Sequence, residues 1–417
     1  MAVHCNLRDL PKGPSMFELI ADRPLLRSTS DLGRVMAAAR ARDEAGLPVV
    51  HLERGEPDFD TPPHIIEALD RAARGGETHY PDARGQRNLR EALAAKLARE
   101  NKIDCHIDDI TVTLGGTHAL FCAFQALLKS GDELLVLSPH WMAIPKLVGF
   151  LDGVTLRTLP VYLELMSGRW SDAEFADALH AAITPKTRGL YLNSPNNPTG
   201  AVLTRGQLQA IADVAIERGL WVVSDEAYEH LLYDGARHIS IASLPGMAER
   251  TVSAFTFSKS YAMTGWRVGY AVSPPSLRNV MGPILSFYTT HGVFPAVQSA
   301  CAAAVNGSQD CVEMMRGAYD ERRGLMLAGL KGQSAITVPP PSGAFYVFAN
   351  VGVARGPKDL WGLAEEWLQL GVAVLPGTAF GPEYTDWVRM SLATRADRVS
   401  EAARILRERY ADAGARA

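Results

Sequence analysis

Two polar clusters follow apolar, strand-like runs of the sequence, and their residue types suit covalent catalysis. Lys259 comes just after the run SAFTF, and Arg267 follows it by eight positions. A lysine amine is a nucleophile only without its proton, and shielding from water and nearby positive charge both favour that state. Asp225 ends the run LWVVSD, and Tyr228 lies three residues later. A buried carboxylate could stabilise a cationic ring nitrogen, although a solvated lysine, a capping aspartate and a packed tyrosine would also explain these residues taken singly.

Two further stretches are turns that could bind a ligand. Gly115, Gly116 and Thr117 form a strand-to-helix turn, where free N–H groups and the helix dipole favour a phosphate group. A Gly-Gly pair is more often a simple turn, so this signal is weak by itself. The loop NSPNNPTG (193–200) is more specific, because two prolines and a glycine restrict it and can hold the amide of Asn197 still against a ligand.

The elements that must position these residues alternate along the chain. Short apolar runs predict strands, and apolar residues spaced three and four apart predict helices between them. The predicted strands cover 110–114, 133–138, 188–193, 220–226, 251–257 and 267–273, and the clearest helices cover 115–133 and 204–219. Apolar strands separated by helices indicate a mostly parallel sheet covered on both faces. Ligands bind beyond the carboxyl ends of such strands, so the loop 193–200, Asp225 and Lys259 are expected at one edge.

The sequence pattern changes after about residue 300, where amphipathic helices and short strands indicate a smaller α+β domain. We predict an N-terminal arm and part of the small domain in residues 1–60, the large domain in 61–300, and the C-terminal small domain in 301–417. The first 50 or so residues contain no sheet-forming run, and no packing partner is evident for a predicted helix at 31–45.

Composition and charge predict a globular protein with small-molecule ligands. The 417 residues are 47% hydrophobic and carry a net charge of −4, so neither nucleic acid nor an anionic membrane is an expected partner. The five cysteines are scattered without a CxxC pair, which predicts reduced thiols and a cytoplasmic location. We see neither a signal peptide at the start nor an apolar run of about 18 residues, and we expect no metal.

Eight segments of the sequence resemble the class I aminotransferases of the aspartate and aromatic aminotransferase type, which are pyridoxal-phosphate enzymes of fold type I. They run from about residue 50 to residue 396 in the family's order: GEPDFDTP, YPDARGQRNLREALA, SPHW, NSPNNPTG, VVSDEAYEHLLYDG, SKSYAMTGWRVGY, PSGAFYVF and VRMSLAT. The resemblance implies an α/β fold, with a large domain on a mostly parallel seven-stranded sheet flanked by helices, and a smaller α+β domain. It also implies pyridoxal 5'-phosphate as cofactor and a homodimer that shares its active sites across the interface.

The resemblance implies a role for each matching residue. Lys259 would form a Schiff base with the cofactor and then move the substrate proton, while Asp225 would keep the pyridine nitrogen protonated. At the cofactor ring, the resemblance places Asn197 and Tyr228 at the phenolic oxygen and Trp141 on the ring face. At the phosphate it places Gly116, Thr117, Thr256 and Arg267, with Tyr80 of the partner subunit near them. Arg389 would bind the substrate α-carboxylate, with Gly55, Trp141 and Asn197 close by.

The sequence departs from the family pattern in two ways. Thr256 stands where many members have a serine, and because the hydroxyl is kept we expect little change. No arginine or lysine occurs between Arg278 and Arg316, the region from which some dicarboxylate-specific members take a second arginine, and this weakens an assignment to aspartate. A less charged side-chain pocket could instead be lined by His291, Tyr288 and Phe294 with Phe17 of the N-terminal arm, or His291 could simply pack between helices.

We therefore predict an aminotransferase that moves an amino group from an L-amino acid to a 2-oxo acid by a ping-pong mechanism. A pyridoxal-phosphate-dependent lyase, cyclase, decarboxylase or oxidative enzyme is the alternative, because the same fold supports several chemistries. A non-catalytic regulator is a third possibility. It is disfavoured because such proteins normally carry a DNA-binding segment, and the N-terminal extension shows no clear helix-turn-helix.

Overall fold

A computed structural model describes residues 31–411 of the chain. The strands are β1 Val50–His51, β2 Ile110–Thr113, β3 Glu133–Ser138, β4 Thr155–Pro160, β5 Thr187–Asn193, β6 Trp221–Asp225, β7 Thr251–Thr256, β8 Gly269–Val272, β9 Tyr346–Asn350, β10 Val372–Ala373, β11 Leu375–Pro376 and β12 Trp387–Ser391. The α-helices are α1 Asp31–Glu44, α2 Pro63–Arg74, α3 Arg87–Lys96, α4 Gly116–Leu127, α5 Ile144–Gly149, α6 Tyr162–Met166, α7 Asp172–Ala182, α8 Arg205–Arg218, α9 Phe257–Ser260, α10 Arg278–Thr289, α11 Pro295–Asn306, α12 Asp310–Leu330, α13 Gly352–Arg355, α14 Leu360–Gln369 and α15 Ala396–Arg409.

The larger sheet has seven strands in the order β2-β8-β7-β6-β5-β3-β4. Its strands are parallel except β8, which is antiparallel to both of its neighbours. The central strands β3, β5, β6 and β7 are almost entirely buried because helices cover both faces of the sheet. The predicted α/β fold with a mostly parallel seven-stranded sheet is confirmed. The edge strand β4 was not predicted, because its partly exposed residues do not form an apolar run.

Helix α8 shows how local sequence signals place an element of the fold. Thr204 accepts a hydrogen bond from the Gln207 backbone N–H, and the Gln207 side chain returns one to the Thr204 N–H. This reciprocal pair satisfies two N–H groups that the first turn of a helix leaves free. Gly219 ends the helix with φ of +66°, in the left-handed region that glycine adopts without steric cost. Both ends were predicted from the sequence.

A second, three-stranded antiparallel sheet has the order β11-β12-β9 and packs with the C-terminal helices. The pair β1 and β10 lies beside it, with Val50 opposite Val372 and His51 opposite Ala373. The expectation that the first 50 or so residues contain no sheet-forming run was therefore wrong at the end of that range, where Val50 begins a strand. A two-residue strand is too short to show a periodic pattern, and its partner lies more than 300 residues away.

Helix α1 packs against this second sheet and helix α14. Its buried residues Val35 and Ala39 contact the apolar cluster around Leu368 and Leu375. Arg34 also forms an ion pair with Glu365 of helix α14 at 3.0 Å, and its guanidinium lies over the ring of Trp361 in that helix. The packing partner of helix α1, which was not evident from the sequence, is therefore the C-terminal part of the same chain.

The remaining global features concern cysteines and membrane insertion. The cysteines within residues 31–411 are all free thiols, two of them buried. Over the same residues, no helix combines the length and the apolar character that crossing a bilayer requires. The fifth cysteine, Cys5, lies with the rest of residues 1–30 of the predicted arm outside the described part of the chain.

Candidate active site

A cavity of about 410 Å³ opens beyond the carboxyl ends of the large sheet, where the second sheet faces it. Lys259, Asp225 and Arg389 all line it, although they come from three separate parts of the chain. The other lining residues are Leu32, Gly55, Glu56, Gly116, Thr117, Leu120, Trp141, Met142, Asn193, Asn197, Ala227, Tyr228, Thr256, Ser258, Thr264, Gly265, Arg267 and Tyr346. The expectation that the loop 193–200, Asp225 and Lys259 meet at one edge of the sheet agrees with this arrangement.

Lys259 lies on the short helix α9, directly after β7. The Thr256 hydroxyl caps this helix by accepting a hydrogen bond from the Ser258 N–H at 3.2 Å. The Lys259 amine donates to the Gly55 carbonyl at 2.6 Å. Burial lowers the pKa of Lys259 to about 8; Glu56 opposes this shift, and Arg389 and Arg267 add to it. About a tenth of this amine is therefore uncharged at pH 7, far more than for an ordinary lysine.

Asp225 ends β6 at the base of the cavity. Its carboxyl group accepts hydrogen bonds from the Tyr191 hydroxyl at 2.9 Å and the Ala227 N–H at 3.3 Å. Burial raises the pKa of Asp225 to about 6, and the two hydrogen bonds limit the rise. The Asn193 side chain donates to the Asp225 backbone carbonyl at 2.9 Å and fixes the strand end. A buried carboxylate of this kind is well suited to stabilise a cation placed beside it.

The loop 193–200 is held rigid by its own side chains. The Asn197 N–H donates to the Asn193 side chain at 2.7 Å, and Asn196 contacts Thr199 and the Pro139 carbonyl. This leaves the Asn197 amide facing the cavity, 3.4 Å from the Tyr228 hydroxyl. Burial raises the pKa of Tyr228 well above its usual value, so its hydroxyl stays protonated and can donate.

One end of the cavity has the groups that phosphate requires. Gly115, with φ of +79°, precedes helix α4, so the first N–H groups of that helix face the cavity without helical partners. A Cβ atom at Gly115 would lie 2.8 Å from the Arg267 guanidinium, so a larger residue there would displace that side chain. Arg267 donates to the Thr264 carbonyl at 2.9 Å, and Thr256 adds a hydroxyl nearby. Backbone donors, a guanidinium and a hydroxyl fit a dianionic group.

Arg389 lies at the opposite end, on β12, and is only 3% exposed. Its guanidinium donates to the Glu53 carbonyl at 2.6 Å and to the Asn197 side chain at 3.3 Å, and it lies over the Tyr346 ring. Its buried Nε has no hydrogen-bond partner among the described residues. Arg389 lines the cavity as a buried guanidinium, and such a group fits a carboxylate ligand, which accepts two parallel hydrogen bonds.

The structure brings together every predicted site residue except one. Tyr80 does not line the cavity of its own chain; it is 78% exposed and packs against His291, with ring centroids 4.5 Å apart and ring planes tilted by 34°. Within residues 31–411, the residues proposed for the alternative side-chain pocket do not line the cavity either. Tyr288 packs against Phe121, and it lies outside the cavity lining together with His291 and Phe294. Phe17 lies outside the described residues.

Several lining residues were not predicted from the sequence. Tyr346 belongs to the recognised segment PSGAFYVF and bonds the Tyr228 hydroxyl at 3.0 Å, so that motif could have identified it. Glu56 and Ser258 adjoin the predicted Gly55 and Lys259. Leu32 and Met142 carry no motif, because they reach the cavity only through packing of their elements.

Comparisons with known proteins agree with this geometry. Residues 48–406 match the family model described as aminotransferase class I and II. The aspartate/prephenate aminotransferase of Thermus thermophilus is 42% identical over 88% of this chain and 92% of the relative, and the aspartate aminotransferase of a Bacillus species is 36% identical over 93% and 98%.

Solved structures with a similar fold are also aminotransferases. The aspartate aminotransferase of Thermus thermophilus with maleate has a TM-score of 0.83 at 38% identity, covering 93% of this chain and 98% of that one. The aromatic aminotransferase of Pyrococcus horikoshii has a TM-score of 0.81 at 39% identity, covering 89% and 99%. These matches confirm the predicted amino-group transfer and do not favour lyase, cyclase or oxidative chemistry. The chain belongs to the class I and II aminotransferase family.

Proposed function

We propose that this aminotransferase holds pyridoxal 5'-phosphate in the cavity between Lys259 and Arg267 and exchanges amino groups in two half-reactions. One observation carries the proposal: a single cavity joins Lys259, whose pKa is lowered to about 8, to the buried Asp225 and to the buried Arg389. A reactive amine, a partner for a ring cation and a carboxylate clamp are the groups that this chemistry needs.

The donor set of the cavity fits the cofactor from end to end. Gly116, Thr117, Thr256 and Arg267 would hold its phosphate, Asp225 its ring nitrogen, Asn197 and Tyr228 its phenolic oxygen, and Trp141 its ring face. When bound, the cofactor supplies an electron sink for the bond that is broken at the substrate Cα. Asp225 supports that role because a buried anion at the base of the cavity favours a protonated ring nitrogen.

The chain's own residues then orient the substrate and move one proton. Arg389 binds the α-carboxylate with two parallel hydrogen bonds, which fixes the direction of the Cα–H bond. Lys259 takes the proton from Cα as a general base and returns it as a general acid. Its lowered pKa lets it exist in both protonation states near neutral pH, as such a shuttle requires.

The active unit in this proposal is a homodimer, with Tyr80 of the partner subunit at the phosphate. Tyr80, Phe287, Tyr288 and Phe294 are large aromatic or apolar side chains that one chain leaves exposed. Exposed apolar groups near one another are typical of a surface that another protein covers. The division into segments 1–60, 61–300 and 301–417, and the cytoplasmic location, stay predictions.

We propose that the side chain of the preferred substrate is apolar or aromatic. The basic residues that line the cavity within residues 31–411 are Lys259, Arg267 and Arg389, and each already has a role. Leu32 and Met142 line the same space without charge. The names of the Thermus and Bacillus relatives make aspartate the competing donor.

Half-reactions test both parts of the proposal. The cofactor-loaded protein is mixed with one amino acid at a time, without an acceptor, and the 2-oxo acid and ammonia released are measured. Transfer predicts about one equivalent of 2-oxo acid per site, no ammonia, and a faster reaction with phenylalanine or leucine than with aspartate. Ammonia release with repeated turnover would contradict transfer, and a faster reaction with aspartate would contradict the apolar substrate class.

A further inference from the structure

His51 lies between two carboxylates outside the cavity. Its Nδ1 is 2.9 Å from Glu53 Oε1, and its Nε2 is 2.9 Å from Asp43 Oδ2. A neutral imidazole donates from one nitrogen only, and ionised carboxylates accept but do not donate. Both contacts are therefore hydrogen bonds only when His51 is a cation. The hydrogen bond to Glu53 raises the pKa of His51; Asp43 adds to this, while burial and Arg54 oppose it.

Glu53 depends on this cation because its side chain is fully buried. Its Oε1 also lies 3.4 Å from the Arg54 Nε, but its Oε2 has no hydrogen-bond partner among the described residues. An ionised carboxylate that is removed from water needs positive partners, and without the imidazolium Glu53 would keep only Arg54 at 3.4 Å among its ion pairs within residues 31–411. Deprotonation of His51 would therefore disturb Glu53 more than it would disturb the exposed Asp43.

The backbone around Glu53 connects this cluster to the cavity. The Glu53 carbonyl accepts from Arg389 Nη2 at 2.6 Å, and the Gly55 carbonyl accepts from the Lys259 amine at 2.6 Å. Segment 53–55 therefore supplies acceptors for both of the cavity's central cations. Because the Glu53 carbonyl is one of the acceptors of this guanidinium, a shift of the segment would alter the direction in which Arg389 is held.

The elements packed around His51 carry other charged side chains that have partners of their own: Arg40 pairs with Glu44, and Arg42 binds Gln369. Helix α1 contributes Asp43, and its first turn presents Leu32 to the cavity. Helix α15 packs on β1 and brings Arg398, which donates to the Val49 carbonyl at 2.8 Å and pairs with Glu401. These groups hold the strand in place and form no hydrogen bond with the imidazole within residues 31–411.

We propose that His51 is a positioning residue, which as a cation bridges Asp43 and Glu53 and so holds segment 53–55 where its carbonyl groups orient Arg389 for a substrate carboxylate. The inference rests on the proposed function in one respect, the binding of that carboxylate by Arg389. It predicts that carboxylate affinity weakens as pH rises through the titration of His51.

Calorimetry on the cofactor-loaded protein tests the proposal with two unreactive probes, maleate and 3-phenylpropionate. Affinities are measured from about pH 5 to about pH 9 for the wild type and for His51→Gln, so that the titration of other groups cancels in the ratio. We expect the wild type to bind about five- to tenfold more tightly than His51→Gln at low pH, and the ratio to approach one at high pH. A ratio that does not change with pH would overturn the role of His51.

Asp43→Asn supplies a second variant that keeps the shape of the side chain. Asp43 is 44% exposed, so this variant should fold even if substitutions at His51 or Glu53 do not. Because it removes one of the anions that favour the imidazolium, the pH at which affinity falls should move downward, and the His51 ring resonances in an NMR titration should move with it. An unmoved midpoint would contradict the bridge. Failure of the wild type to bind either probe would instead overturn the proposed carboxylate site, and the inference with it.

Discussion

The two ends of the cavity are built in different ways. At the cofactor end, Asp225 is the last residue of β6 and Lys259 follows the neighbouring parallel strand β7, so the order of strands in the sheet places them. At the carboxylate end, Arg389 on β12 is held by a carbonyl 336 residues earlier in the chain, that of Glu53. The first end depends on the whole sheet, whereas the second depends on a few hydrogen bonds between distant segments.

This difference separates two kinds of failure. Changes at the cofactor end should alter whether the cofactor is held and whether chemistry occurs. Changes at the carboxylate end should leave the bound cofactor unaltered and weaken the binding of substrate. Each of the following experiments tests whether effects on the cofactor and effects on substrate binding can be separated in this way.

Lys259→Ala should have the largest effect. Without the amine there is neither a covalent attachment point nor a proton shuttle, so turnover should fall by about 10⁴-fold or more. The visible absorbance of the lysine-bound cofactor should disappear as well. Lys129→Ala, at an exposed lysine, serves as control and should keep both. Turnover within tenfold of the wild type in Lys259→Ala would contradict the assignment.

Asp225→Asn should come next, because it keeps the shape of the side chain and removes its charge. We expect kcat to fall by about 10²- to 10³-fold, since the ring nitrogen loses the anion that keeps it protonated. The absorbance spectrum of the bound cofactor and its pH dependence should change together with kcat. Asp213→Asn, on the exposed face of α8, is the matched control. Wild-type kcat in Asp225→Asn would show that this carboxylate takes no part in the chemistry.

Arg389→Lys should weaken substrate binding and spare the cofactor. Lysine keeps the charge but lacks the planar fork, so KM should rise by about 30-fold or more, equivalent to about 2 kcal/mol. The spectrum of the bound cofactor should stay that of the wild type. Arg395→Lys changes an exposed arginine six positions later and should leave KM unaltered. Loss of cofactor from Arg389→Lys would break the distinction between the two ends.

The pH dependence of cofactor capture tests the cofactor end in a different way. Only the uncharged amine can react, and burial lowers the pKa of Lys259 to about 8. The rate at which the cofactor-free protein takes up pyridoxal 5'-phosphate should therefore rise about tenfold per pH unit below that value and level off above it. Stopped-flow absorbance measures this rate. A rise that continues toward pH 10 would mean that the cavity does not activate the lysine.

Tyr346→Phe should have the smallest effect. It removes the hydroxyl that bonds Tyr228 at 3.0 Å while the ring stays under the Arg389 guanidinium. A neutral hydrogen bond of this kind contributes about 0.5–1.5 kcal/mol, so kcat/KM should fall about two- to tenfold. A loss comparable with that of Arg389→Lys would show that the hydroxyl contacts the substrate directly.

The same contrast explains what could be predicted from the sequence. Asp225, Asn197 and Lys259 each follow a continuous apolar strand and belong to a dense motif, so both their location and their grouping were predictable. Arg389 was recognised only through the segment VRMSLAT. Its acceptor, the Glu53 carbonyl, was not predictable because a backbone group has no sequence signature.

Other residues line the cavity only because of how their elements pack, and the sequence did not predict them. Leu32 reaches the cavity because Val35 and Ala39 anchor its helix against the C-terminal part of the chain, and no local pattern signals a contact of that range. Tyr80 shows the opposite case, since its motif was recognised but a single chain does not bring it to the cavity.

The central claim is that the Lys259 amine carries the cofactor. Borohydride reduction of the loaded protein, followed by proteolysis and mass spectrometry, tests it directly, because reduction makes the bond between lysine and cofactor permanent. The account predicts one phosphopyridoxyl group per chain, located on the peptide that contains Lys259 and absent from Lys259→Ala. A stoichiometric adduct on another lysine, or none on a protein that still transfers amino groups, would contradict it.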